Sequence, residues 1–319
     1  MEYPGSKPVR IAIIGAGNVG TTFAYALLMS GLASEIVLID ANRSKAEGEA
    51  MDLNHSVPLM QPARIWAGEY ADCAGAAVTV ITAGSNQKPG ETRLDLLQRN
   101  AGIMRQVVQA VVENNPEGLL LVATNPVDIL TYVAWKVSGL PRQRVIGSGT
   151  ILDTARFRYL LSQHFGVDPR SVHAYIIGEH GDSEVPVWSL ANIAGMELST
   201  FCQANGLECS PEMMQEIFQQ TRDAAYQIIE RKGATFYAVA SGLLRIVEAI
   251  LRDQATVLSV SSYIEDFYGI SGIYLSLPTV ISRQGVHRFI RLTLTESEVD
   301  GLQKSAKLLK ETAGRLRID

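Results

Sequence analysis

Cysteine is scarce: the 319-residue chain holds three, Cys73, Cys202 and Cys209. The number is odd and the spacing matches no metal-ligand pattern. Neither a disulfide framework nor a metal site is expected, and the usage suits a reducing compartment. Basic runs are absent and the formal net charge is −5, which argues against non-specific nucleic-acid binding. No apolar run approaches the roughly 18 residues of a membrane span. The opening MEYPGSKPVR contains an acid and two prolines where a signal peptide needs an apolar centre. Internal repeats and low-complexity linkers are missing as well. A soluble cytoplasmic protein is the expectation that remains.

What is present is ordinary for a globular chain: 47% hydrophobic and 19% charged residues, with length enough for two domains or one large layered one. The first half alternates short apolar runs with helical patterns. After Val9 to Ile14 come EIVLID, ARIWAG, VTVITAG and LLLVATNP, with helical stretches at Leu94 to Val112 and Asp128 to Val137. Continuous apolar runs of this kind are strands covered on both faces. The expected fold is therefore α/β, a Rossmann-type doubly wound parallel sheet over residues 1–148. Near GSGT, at Gly147 to Thr150, the alternation weakens, and an α+β domain over 149–319 is expected to follow. Its strands are read in VHAYIIG, GIYLSLPTVIS and HRFIRLTL. Its last helix opens with Thr295 and Glu298 at capping-box spacing. The stripe Val299, Leu302, Ala306, Leu309, Ala313 and Leu316 then packs that helix on the core.

GAGNVG follows the first apolar run, and Gly15, Gly17 and Gly20 fit a dinucleotide fingerprint. The first glycine permits a tight turn, the second lets a pyrophosphate reach the backbone, and the third lets helix and strand approach. The pyrophosphate would rest on the helix N-terminus. Asp40 ends the second strand twenty positions beyond Gly20; its carboxylate can accept from a ribose diol and repels a 2′-phosphate. Arg43 lies three positions on and leaves NADP conceivable, but NAD is the cofactor Asp40 favours. Asn18, Val19, Ala83, Gly84 and Asn125 complete the expected cofactor lining.

A second signal is GEHGDSEVPVWS, which sets His180 between two glycines just after an apolar run. An imidazole delivered to a cleft in this way can pass a proton near neutrality. Asp153 and Arg156, three apart in LDTAR, share a face if both are helical.

GAGNVG, AGSNQKPGETRLDLLQRN, TNPVDILTY, GSGTILDTARFR and GEHGDSEVPVWS occur in this order, and together they resemble the lactate and malate dehydrogenases over essentially the whole chain. The resemblance implies NAD-dependent reduction of a 2-oxo acid, with His180 as acid/base. Asp153 then stabilises the protonated imidazole, and Arg156 grips the substrate carboxylate through two parallel hydrogen bonds. Arg93, in GETR, matches the group that polarises the reacting carbonyl, on a loop resembling the family's mobile one. Asn125 orients the carbonyl or cofactor.

Gln87 is the discriminating position. The malate dehydrogenases of this family carry an arginine there to pair with a second carboxylate. A neutral amide leaves such a carboxylate uncompensated, which favours pyruvate and lactate. Thr235, in KGAT, matches a small pocket-lining residue. Arg158 and His173 match positions that bind fructose 1,6-bisphosphate across a subunit interface in allosteric bacterial members, and the resemblance implies a homotetramer. The rivals are a malate dehydrogenase, a dehydrogenase of larger 2-hydroxy acids, an NAD-dependent glycoside hydrolase, which needs a bound metal, and a non-catalytic NAD-binding protein.

Overall fold

Six short apolar segments of the first half become parallel strands, all buried on both faces but the edge strand Arg64–Ala67, which is covered in part. The computed structural model describes residues 8–85, 90 and 92–316. The first half runs β1 (Arg10–Ile14), α1 (Asn18–Ser30), β2 (Glu35–Ile39), α2 (Arg43–Ser56), β3 (Arg64–Ala67), β4 (Val78–Ile81), α3 (Arg93–Asn114), β5 (Leu119–Val122), α4 (Val127–Ser138) and β6 (Val145–Gly147). Along β1, Ile11 and Ile13 enter one apolar cluster with Phe23 and Leu27 of α1 and Ala50 of α2. Ala12 and Ile14 enter the opposite one with Leu97 and Met104 of α3 and Leu130 of α4. The two-residue period of a strand is thus satisfied by helices on both sides, as in a doubly wound sheet.

The second half contains α5 (Ile151–Phe165), β7 (Val172–His173), β8 (Ile176–Ile177), β9 (Val185–Pro186), β10 (Asn192–Ile193), β11 (Met196–Glu197), α6 (Leu198–Asn205), α7 (Pro211–Lys232), α8 (Tyr237–Leu251), β12 (Thr256–Ile264), β13 (Ile273–Ser282), β14 (Gly285–Phe289) and α9 (Glu296–Gly314). The sheet does not stop at the Gly147–Thr150 segment. Its order is β14-β13-β12-β6-β5-β4-β1-β2-β3. The first-half strands are parallel, and the β12–β13–β14 meander joins them antiparallel through Ser261 opposite Gly147. A Cβ on Gly147 would lie 2.4 Å from Thr131 Oγ1 and 2.8 Å from Ser261 Cβ, so the seam leaves no room for a side chain. Among the described residues no helix is long and apolar enough to cross a membrane.

Three details differ from the sequence reading. VHAYIIG is not one strand: Val172–His173 pairs with β10, while Ile176–Ile177 pairs with β9 in another sheet. Val172 at one end and Ile176–Ile177 at the other are buried, but by different partners. HRFIRLTL is strand only as far as Phe289. The cysteines, expected to stay unpaired, include a disulfide between Cys202 and Cys209, whose Cα atoms are 6.1 Å apart. Gly206 ends α6 in the left-handed region and turns the chain back, which brings the second cysteine to the first. The α9 reading stands. Thr295 and Glu298 cap each other, and Leu302, Ala306, Leu309, Ala313 and Leu316 are buried.

Candidate active site

In the order β3-β2-β1-β4-β5-β6 the chain winds outward from β1 in both directions, and ligands of such sheets bind at the carboxyl ends beside that reversal. Gly15, Gly17 and Gly20 follow β1, Asp40 follows β2, Ala83 and Gly84 follow β4, and Asn125 follows β5. Gly15 has φ +109°, and a Cβ on it would meet Ala83 N at 2.7 Å. A Cβ on Gly20 would lie 2.0 Å from the Gly15 carbonyl oxygen, so α1 can approach β1 only through a glycine there. Gly17 is different, since its Cβ would face open space at an ordinary φ of −82°. The protein itself does not demand glycine at that point; a ligand lying on the turn would.

Gly17 caps α1 without a side-chain hydrogen bond, and the first turn holds no acid. The free N–H groups and helix dipole there suit a pyrophosphate, with Asn18 exposed and Val19 half-buried beside it. Asp40 accepts from Ala16 N–H at 2.7 Å and Asn42 N–H at 2.8 Å, which fixes its carboxylate against the glycine turn. Arg43 is engaged by Glu47 at 3.0 Å and Glu69 at 2.6 Å, so its charge is already matched. The residues present fit NAD. Asn125 is exposed, its side-chain amide makes no hydrogen bond among the described residues, and its carbonyl accepts from Asn100 at 3.3 Å.

The charged part of the site is built by α5 and the segment after β8. Thr150 donates its hydroxyl to the Ile176 carbonyl at 2.6 Å, and Ile176 N–H donates back to Thr154 at 3.0 Å. These bonds pin the start of α5 to β8. Asp153, on the first turn of α5, is buried and accepts from His180 Nδ1 at 2.5 Å and from Arg156 Nη1 at 2.9 Å. The rest of the Arg156 fork carries no hydrogen bond among the described residues. His180 is held from behind as well, since its backbone N–H donates to Asp128 at 2.8 Å. Glu179 N–H donates to Ser305 of α9 at 2.7 Å.

Burial acts against the imidazolium of His180. The charge and hydrogen bond of Asp153, helped by Asp128 and Glu184, outweigh it and push the histidine up to about 9. Burial also pushes Asp153 up, but His180 and Arg156 overcome it and hold this carboxyl below the usual range. An ion pair deep in the site is thus the resting arrangement near neutrality. Asp128, wholly buried near the start of α4, is pushed by burial up to about 6 against the hydrogen bond from the His180 backbone.

Thr235 is half-buried on the turn between α7 and α8 and makes no hydrogen bond to the His180 cluster among the described residues. Gln87 and the side chain of Arg93 lie outside the described residues; the backbone of Arg93 opens α3. Arg158 donates Nε to the Ala174 carbonyl at 2.9 Å and stacks over Tyr175, beside the exposed His173. Among the described residues no three His, Cys, Asp or Glu side chains converge as metal donors. The sequence reading missed Asp128 and Glu184 as parts of the site. A lone acid in the apolar helix VDILTYVAW was the available signal for Asp128.

A glycine-turn dinucleotide crevice leading to a paired Asp-His-Arg cluster defines an NAD-dependent oxidoreductase. Residues 9–147 match the lactate/malate dehydrogenase, NAD binding domain, and residues 150–315 match the lactate/malate dehydrogenase, alpha/beta C-terminal domain. The chain belongs to the lactate/malate dehydrogenase family. It is 55% identical over 309 residues to an L-lactate dehydrogenase of Priestia megaterium, with 97% of each chain covered. It is 53% identical over 312 residues to one of Moorella thermoacetica, with 98% of each covered. The ligand-bound crystal structure of the minor L-lactate dehydrogenase of Enterococcus mundtii superposes with a TM-score of 0.95 at 42% identity, covering 98% of this chain and 99% of that one.

Proposed function

We propose that this protein is an L-lactate dehydrogenase, interconverting pyruvate and (S)-lactate on the cytoplasmic NAD pool. The observation that carries the reading is the Asp153 carboxylate shared by His180 at 2.5 Å and Arg156 at 2.9 Å. When bound, NAD supplies the hydride donor and acceptor. His180 gives the proton to the oxygen of pyruvate and takes it back from lactate. Asp153 fixes the ring through Nδ1, which directs Nε2 to substrate, and stabilises the imidazolium. Arg156 offers its remaining N–H groups to the substrate carboxylate. Arg93 stabilises the oxygen as negative charge grows on it. Asn125 orients carbonyl or cofactor, and Thr235 bounds a small pocket.

Because His180 is raised to about 9, turnover at saturating pyruvate, which needs the imidazolium, holds to about that pH and declines above it. Lactate oxidation, which needs the neutral ring, increases through the same range.

Gln87 selects pyruvate over oxaloacetate in this reading, since a second carboxylate would be left unpaired in a closed cavity. Arg158, bonded to the carbonyl of Ala174 next in sequence to His173, forms with His173 half of a fructose 1,6-bisphosphate site completed by a second subunit. Exposed Tyr25 and Met29 on α1 and Tyr237 on α8 support assembly, as a homotetramer.

The test is NADH oxidation with pyruvate and oxaloacetate in parallel, each with and without fructose 1,6-bisphosphate, with the oligomer read by sedimentation. Preference for pyruvate is expected, with its KM lowered by the bisphosphate. Gln87→Arg should move the preference toward oxaloacetate by at least about tenfold. Oxaloacetate preference in the unaltered protein would overturn the substrate reading and leave fold and cofactor standing.

A further inference from the structure

Glu184 sits four residues beyond His180, immediately before β9. It is 7% exposed, and its Oε1 is buried with no hydrogen-bond partner among the described residues. Its backbone is fixed, N–H donating to the Gly181 carbonyl at 3.2 Å, and Val185 packs beneath Gly301 of α9. A buried carboxylate without donors is costly as an anion and far less so as an acid. The charges facing it are Asp153 and Arg156 from α5, His180 from its own segment and Arg222 from α7.

Counting charge decides what state the site requires. His180 and Arg156 bring two positive charges and Arg93, in the reading above, a third, set against Asp153 and, above about pH 6, Asp128. A 2-oxo acid adds a further anion at Arg156. Arg222 is drawn aside by Gln219 at 2.7 Å and lies over Phe218. An ionised Glu184, with no donor on Oε1 among the described residues, would therefore add a negative charge that the site leaves unbalanced.

We propose that Glu184 is a specificity-determining residue that must carry a proton for a 2-oxo acid to bind beside Arg156, so that binding is tied to a proton here as well as to the one on His180. The proton comes from solvent when the free site is ionised and returns to it on release; no covalent bond changes. Burial, with Asp153 acting in the same sense, pushes this carboxyl up to about 8 against His180, Arg156 and Arg222. The two protons are lost in successive steps as pH rises, Glu184 before His180. This inference rests on the reading that Arg156 and His180 hold the substrate.

The experiment is the KM for pyruvate from pH 6.5 to 9 in the full enzyme and in Glu184→Gln, which mimics the neutral acid. Titrations at about 8 and about 9 predict a KM rise of roughly 20-fold across that range in the unaltered enzyme and roughly 2-fold in the variant. Equal rises would overturn the proposal. Should the variant not fold, proton uptake by the unaltered enzyme with NADH answers instead. Oxamate, the amide isostere of pyruvate, should take up about 1.4 protons per site at pH 9, against about 0.5 if His180 alone titrates. The lower figure would overturn the proposal. Failure of the underlying reading would look different, because His180→Asn would then keep its turnover.

Discussion

Around the turn after β1 the working groups are backbone N–H donors, and the carboxylate set against them, Asp40, is held by one of them, Ala16 N–H. Around His180 they are charged side chains, with Asp128, Asp153 and Glu184 all buried. The first site is specified by where a Cβ cannot go, the second by which charges can coexist out of water. The first is thus governed chiefly by shape. The second tolerates small changes of shape but answers to every proton. If that contrast is right, single substitutions should separate cofactor binding from proton chemistry.

His180→Asn is the sharpest way to break the contrast. It removes the titrating group while keeping a polar side chain, and should lower pyruvate reduction by at least about 10²-fold. NADH affinity, followed by fluorescence titration, should not change, because the dinucleotide crevice lies at the ends of other strands. Coupled loss of both would mean that the two sites are one unit.

Two glycine substitutions test the other half. Gly20→Ala drives a Cβ to 2.0 Å from the Gly15 carbonyl and should lower the thermal midpoint and NADH affinity together. Gly17→Ala meets open space, so its midpoint should stay put while NADH binds about tenfold or more weakly. The measurements are thermal unfolding without ligand and NADH titration. Equal damage to the midpoint from both substitutions would show that Gly17 is held by the fold rather than by the ligand.

The same contrast explains what the sequence made legible. The glycine turn is a local constraint, and so are the apolar runs of a sheet buried on both faces; both were readable without partners. Asp153 and Arg156 were readable as a pair because a helix places residues three apart on one face. Glu184 was not, since nothing local distinguishes it from a solvated acid, and Asp128 left only the weak signal of a lone acid in an apolar helix. The split of VHAYIIG between two sheets depends on β9 and β10, which lie farther along the chain. The Cys202–Cys209 closure likewise depends on the reversal at Gly206, and cysteine count alone pointed the other way. Local chemistry could be read off, whereas burial and pairing needed the fold.

The smallest expected effect concerns what holds the charged site in place. Ser305, fully buried on α9, accepts from Glu179 N–H at 2.7 Å and from Ser183 Oγ at 3.0 Å. Ser305→Ala removes the one oxygen that takes both bonds and leaves the Glu179 N–H without a partner, a loss of about 1–3 kcal/mol in stability. It touches no group assigned to proton transfer. Denaturant unfolding should record that loss, kcat/KM for pyruvate should fall only a few-fold, and NADH affinity should hold. A drop in turnover rivalling that of His180→Asn would mean that α9 sets the histidine's geometry directly. The proton site would then be as shape-dependent as the glycine turn, and the contrast between the two halves would lapse.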